Sequence, residues 1–241
     1  MTESESKNPS EAKVSTSLDA HIEETGKADK MKIPSEMPVL PVRDTVVFPS
    51  MVAALSVSTE RDLKLLNHVL AGNRFLALVA QKDKEVKVVK QSDLYNYATA
   101  AVVLQMLRMP DNSAKMLVQG IRRIRIDEYT QTDPYFKAKV TVLEDTIQND
   151  METEALARNA ADQFVRMISM APSLPEELKI AIVNIDSPSR LADMIASHLN
   201  VSIAEKQQVL EAIDVKVRLQ KVTALITSEM EVLEMATKIQ S

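Results

Sequence analysis

Apolar residues along the 241-residue chain follow two periods, and the change falls near residue 147. Over residues 37–143, short β-branched runs dominate. Val39-Leu40-Pro41-Val42 and Val46-Val47-Phe48 predict strands. Pro38, Pro41 and Pro49 suit edge strands or strand ends, because proline gives no N–H to a ladder. Residues 75–80 and 100–107 are continuous apolar runs, as buried strands are. Pro110-Asp111-Asn112-Ser113 is a turn cluster, and residues 115–119 return to complete a hairpin. Gly120 predicts a bulge or bend before residues 121–126. Phe136, Ala138, Val140 and Val142 alternate with Lys137, Lys139 and Thr141, so one strand face is buried. One helix interrupts the strands. Ser58 or Thr59 caps it, Leu63, Leu66 and Leu70 form its buried stripe, and Gly72 ends it.

From Met151 the period becomes helical. Leu156, Ala160, Phe164, Met167 and Ile168 share one face. Pro172 and Pro175 break the chain, and Leu178, Ile182 and Ile185 follow on a short helix. Ser187-Pro188 starts another, which buries Leu191, Ile195 and Leu199. Ser202-Ile203-Ala204-Glu205 is a capping box. Asp214 opens a last helix with Val215, Leu219, Val222, Ile226, Met230, Leu233 and Ala236 at three- and four-residue steps. No Gly or Pro follows before Ser241. A helix without a stop signal predicts a polypeptide cut from a longer one. Residues 1–36, rich in Ser, Thr, Glu and Lys and lacking aromatics, are expected to be a disordered tail. The prediction is an α+β chain: β-rich over residues 37–146, a helical bundle over 147–213, and a long helix over 214–241.

Composition narrows the chemistry. Aromatics make up 3% with no Trp, so the core must be aliphatic, with 13 Met to help fill it. A net charge of −5 disfavours nucleic-acid or anionic-membrane partners, which need a concentrated basic patch. There is no Cys, which excludes disulfides and thiolate metal sites. No apolar run approaches the roughly 18 residues of a membrane span. The N-terminal residues resemble neither a secretory signal nor an Arg-rich transit peptide. The expected compartment is therefore the cytoplasm.

Gly occurs only at positions 26, 72 and 120. No two have the spacing of a phosphate-cradling P-loop or a dinucleotide loop. His21, His68 and His198 are scattered, without the spacing of metal ligands. His68 reads as a helix-surface residue. His198 falls near a helix C-terminus, where a cationic ring is favoured. Glu23-Glu24 and Glu176-Glu177 are sequence neighbours and poor acid–base partners. No Ser–Lys pair stands out as a dyad. Arg122, Arg123 and Arg125 form a basic cluster without interleaved aromatics, which reads as a solvated strand face or an ion-pair surface against another subunit.

The ordered blocks resemble one family. Met37-Pro38-Val39-Leu40-Pro41-Val42-Arg43-Asp44-Thr45-Val46-Val47-Phe48-Pro49-Ser50-Met51-Val52 looks like the opening of the N-terminal domain of Lon-type ATP-dependent proteases. Leu78-Val79-Ala80-Gln81-Lys82-Asp83 resembles a second block, and Asp93-Leu94-Tyr95 with residues 104–107 and 119–123 a third. Residues 231–241 look like the helix leading to the family's ATPase module. The resemblance covers residues 37–241. It implies a PUA-like β subdomain, a helical bundle, capture of unfolded or degron-bearing proteins, and assembly into a hexamer. The ATPase and Ser–Lys protease modules are absent from this chain. ATP and magnesium are thus expected only for a full-length parent, and no cofactor is expected here. A stand-alone domain binding a small ligand or regulatory partner is the alternative. Asp111-Asn112 stands where the family commonly has Asp-Gly, and Asn tolerates the positive φ such a turn needs.

Holding unfolded protein requires exposed, adaptable apolar surface, and Met supplies it. Met51 and Met109, the latter followed by Pro110, fall where turns are expected and are the candidate substrate contacts. Leu219, Val222, Ile226 and Leu233 on the last helix either pack on their own bundle or form an assembly seam.

Overall fold

Among the described residues, six strands form where β-branched and alternating apolar residues accumulate: β1 (Glu36–Val42), β2 (Val52–Val57), β3 (Phe75–Ala80), β4 (Tyr97–Arg108), β5 (Ala114–Gln131) and β6 (Lys137–Val142). Helix α1 (Glu60–Ala71) lies between β2 and β3. Five helices follow the strands: α2 (Met151–Met170), α3 (Glu177–Val183), α4 (Pro188–His198), α5 (Ile203–Glu211) and α6 (Val215–Gln240). A computed structural model of the chain describes residues 31–240, and all these elements belong to the unit that begins at Pro34. The expected tail lies outside the described residues up to residue 30, as do His21, Gly26 and the Glu23-Glu24 pair; Glu36 already opens β1. The fold is α+β.

The sheet runs β2-β5-β4-β3-β1-β6, and β6 also pairs with β5, so five strands close into a barrel. β1 pairs parallel with β3 and antiparallel with β6. β2 stands outside the ring, antiparallel to the first part of β5. β1 lies inside the strand order, yet Pro38 falls at a ladder end and Pro41 on a stretch paired on one side only, as prolines at strand ends and edges should. The β1–β6 ladder spans only Glu36–Pro38, and the β1–β3 ladder begins at Val39. Val39 N–H turns toward Phe136 O, 2.8 Å away. By alternation, Pro38 N faces β3 just before its ladder starts. Pro41 N faces the β6 side beyond that ladder's end, so neither proline removes a bond.

Val46-Val47-Phe48 is not a strand. These residues run irregularly with all three side chains buried, and the strand is Val52–Val57 instead. Gly120 explains the arrangement. Its N–H donates to Met51 O at 2.8 Å, and its carbonyl accepts from Ser50 N–H at 2.9 Å. A Cβ there would sit 2.2 Å from Phe48 O, so only glycine admits this approach. β5 runs unbroken through Gly120. The expected bulge appears as a register shift, Ala100 facing Arg122 while Ala101 faces Gly120.

Local signals set the helix ends. Thr59 accepts from Asp62 N–H, Ser187 precedes Pro188 at the start of α4, and Ser202 with Glu205 forms the capping box of α5. On α1 the buried stripe is Leu65, Leu66 and Val69; Leu63 and Leu70 lie half-buried on its flanks. Two cores result. One fills the barrel with α1 and includes Leu40, Val57, Leu66, Leu76 and Val118. The other joins the helices around Phe164, Met167, Ile195 and Leu219, and Val46, Phe48 and Ala80 from the strand region enter it.

Candidate functional site

The barrel meets the bundle through buried charge. Arg123, 4% exposed, leaves β5 toward the helices. Its Nη1 and Nη2 donate to both carboxylate oxygens of Asp193 on α4, at 2.7 and 2.5 Å, and its Nε donates to Leu210 O at 2.8 Å. Arg218 on α6 is wholly buried. It donates to Ala212 O at 2.8 Å, to Ser189 Oγ at 2.9 Å and to Asp145 Oδ1 at 2.5 Å, and lies 3.5 Å from Asp193. Burial by itself would raise the Asp145 pKa. The hydrogen bond and charge of Arg218, with the Ser189 hydroxyl, outweigh it and hold the carboxyl below its ordinary 3.8. Thr146 bridges backbone-to-backbone with residues 213 and 215, and Gln207 donates to Tyr97 O at 3.0 Å. This network is a structural joint, since each guanidinium nitrogen of Arg123 and Arg218 already donates within the chain.

The arginine cluster is thereby corrected. Arg123 is neither solvated nor an inter-subunit group. Arg122 instead pairs with Glu144, and Arg125 with Asp127 at 2.8 Å. No sequence reading flagged Arg218 or Asp193. A signal existed: Arg218 occupies the buried stripe between Val215 and Val222 on α6, where an unpaired cation would be costly.

Unpaired apolar groups lie at the far end of β4 and β5. Met109 N–H donates to Ser113 O at 2.9 Å, and Asn112 N–H to Met109 O at 3.1 Å. Asn112 takes φ 64°, within the left-handed region. The Ser113 hydroxyl and N–H, at 2.6 and 3.0 Å, clasp the Asp111 carboxylate and hold its pKa below the ordinary value. Met109 is half-buried and Pro110 exposed on this tip. Residues 100–107 are not buried throughout: Gln105 is exposed and Leu107 is 63% exposed. An open groove of about 780 Å³ follows, floored by Leu104, Leu107 and Leu117 with Ala54 and Leu70 beside them. Arg74, at φ 65°, borders it and donates to Val103 O and Leu104 O, both at 3.4 Å.

Met51 lies elsewhere. It is half-buried and touches both cores. Met51 neighbours Gly120, whereas Met109 sits beyond Ala114, so about 20 Å of β5 separates them at 3.4 Å per residue. The structure does not bring the two together. Leu219, Val222 and Ile226 are fully buried by their own bundle, and Leu233 is half-buried against it. A free assembly seam cannot use the first three. Val232, Met235 and Ile239 lie farther along α6, each more than 60% exposed. His68 is an exposed helix residue against Tyr135, and His198 lies at the α4 terminus with Nδ1 2.9 Å from Met194 O.

Among the described residues, Gly72 ends α1 and Gly120 is pressed on Phe48, so neither fits a phosphate-cradling loop. No helix among them is long and apolar enough to cross a membrane.

Comparison with known proteins places these features in context. The sequence model of the family described as the ATP-dependent protease La (LON) substrate-binding domain matches residues 36–228. A Lon protease of Dictyoglomus thermophilum is 45% identical over 209 residues, 87% of this chain and 26% of that protein. The Lon protease of Escherichia coli strain K12 is 38% identical over 206 residues, 86% and 26% of the two chains. The chain thus spans about a quarter of the length of the curated relatives it matches. Among solved structures, the N-terminal domain of a Mycobacterium avium complex Lon protease superposes with a TM-score of 0.67 at 22% identity, covering 80% of this chain and 98% of the other. A Lon N-terminal domain protein from Xanthomonas campestris gives 0.58 at 16% identity, covering 79% and 98%.

Proposed function

The chain belongs to the Lon substrate-binding-domain family, and from that premise we propose that it captures protein substrates for an ATP-dependent protease while performing no chemistry itself. The substrates are unfolded or degron-bearing proteins, and the setting is the cytoplasm. Proteolysis, ATP and magnesium belong to the portion of the relatives that extends beyond this chain, and so does completion of a hexamer. Any seam that α6 offers another subunit draws on Val232, Met235 and Ile239, because the stripe before them is spent on the bundle. Nucleic acid is not a partner, and the pairing of Arg122, Arg123 and Arg125 within the chain supports that.

One observation carries the capture reading. The β4–β5 hairpin presents Leu104, Leu107 and Leu117 around an open groove, with Met109 and Pro110 at its tip. Exposed apolar groups on a fixed scaffold accept many sequences, which capture of diverse unfolded chains requires. Binding of the full chain to a reduced, carboxymethylated protein tests it. Leu107→Asp and Met109→Asp are expected to weaken binding about tenfold, as loss of apolar burial costing about 1.4 kcal/mol would. Undiminished binding in both variants would remove the hairpin from the site, and absent binding by the native chain would overturn the capture role. Met51 is the weaker contact here, because it already serves two cores.

A further inference from the structure

We propose that a cleft beside β2 takes up an extended polypeptide segment by strand addition, with the segment's main chain hydrogen-bonded to the open edge of β2. The inference rests on the capture role above and names a second, sequence-tolerant mode for it. The barrel is closed through β6 only along Glu36–Pro38 of β1. Residues 39–42 pair with β3 on one side and have no strand partner on the other. β2 likewise pairs with β5 alone. A cleft of about 860 Å³ opens there, lined by all of Val52–Val57, by residues 40–43, and by Arg61 and Asp62.

The geometry selects β2 as the docking edge. Gly120 N–H donates to Met51 O, so strand alternation turns the N–H and C=O groups of Val52, Ala54 and Ser56 away from β5. An unpaired row of this kind is a template for another strand. On the β1 side, Pro41 offers no N–H, which makes that wall the poorer partner.

A second observation points to the same ligand. Arg61 Nε and Asp62 Oδ1 are buried atoms that form an ion pair with each other at 3.6 Å but have no hydrogen-bond partner. In an extended strand the N–H and C=O of one residue point to the same side, so this donor and acceptor without hydrogen bonds match a single residue of an incoming main chain. The Arg61 guanidinium is held in place, with Nη1 donating to Val89 O at 3.0 Å and Cζ 4.5 Å from the Phe136 ring centroid. Charges around the cleft are mixed, with Arg43, Arg61 and Lys87 against Asp44 and Asp62. That balance fits a neutral main chain better than an anion.

The test uses the full chain and a fluorescein-labelled peptide of about ten alternating Val and Thr residues, long enough for one strand. A second peptide carries the same side chains with alternate amides N-methylated, and a reduced, carboxymethylated protein serves as the general unfolded ligand. Fluorescence anisotropy is expected to give at least about tenfold weaker binding for the methylated peptide, because methylation removes the donors a ladder needs. Ser56→Pro is expected to weaken the unmethylated peptide by a similar factor. The methylation comparison uses the native chain, so it stands even if Ser56→Pro does not fold. If the chain binds the unfolded protein but both peptides alike, or neither peptide, strand addition is wrong and the capture role stands. If it binds neither the unfolded protein nor a peptide, the capture role falls as well.

Discussion

In its second half, β5 meets the helical bundle and its arginines are all paired: Arg122 with Glu144, Arg123 with Asp193, Arg125 with Asp127. In its first half, the same strand runs out with β4 into a solvent-facing hairpin and leaves Leu107, Leu117 and Met109 partly or largely uncovered. β2, beside that half, keeps one edge open. One strand thus serves a satisfied joint and an unsatisfied surface. The difference teaches where to look for binding. Charge density alone would have chosen the Arg123 region, yet its donors are spent on partners within the chain. Unspent hydrogen-bonding and apolar capacity marks the other end.

That contrast makes graded predictions. Asp193→Ala should have the largest effect, because it removes both carboxylate hydrogen bonds of the buried Arg123 guanidinium and the 3.5 Å ion pair to Arg218. A loss of about 3–5 kcal/mol is expected in urea unfolding, and a change below about 1 kcal/mol would mean the joint is solvated. Gly120→Ala should cost about 1–3 kcal/mol, the usual range for overpacking, because its Cβ would collide with Phe48 O. Acid should loosen the joint more gently. The Asp145 pKa is lower in the folded chain than its ordinary value. Its contribution is therefore complete above about pH 4 and is lost as pH falls through the folded value. Urea midpoints should fall more steeply below about pH 4 in the native chain than in Asp145→Asn. Leu107→Asp, at the open end, should leave stability within about 0.5 kcal/mol while weakening capture of unfolded protein. A large stability loss there would place Leu107 in the core and erase the contrast.

Much of the bundle was legible because its signals are local. Ser187-Pro188, the Ser202–Glu205 box and the stripe through Leu191, Ile195 and Leu199 need only neighbours three or four residues away. Asn112 announced its turn for the same reason. The barrel was less legible because partners far apart in sequence decide it. Nothing near Pro41 says that β1 lies between β3 and β6, and nothing near Val46 says that Gly120 will press on the following Phe48. Arg123 looks like a surface residue until Asp193 is brought to it, and the apolar stripe that holds Arg218 does not say that Asp145 will meet it. Of the candidate site, Met109 and Pro110 were visible as apolar residues in a turn. The groove was not, because residues 100–107 carry the pattern of a buried strand and only the reach of the hairpin past its neighbours exposes Leu107.

Closure of the barrel also sets a clock. β1 cannot complete its pairings until β6, ending at Val142, has been synthesised. At about 5–20 residues per second, roughly 5–20 s pass between translation of the two strands. Through that interval the nascent chain carries an unsealed β1 edge beside the open edge of β2, and both are exposed to other unfinished chains.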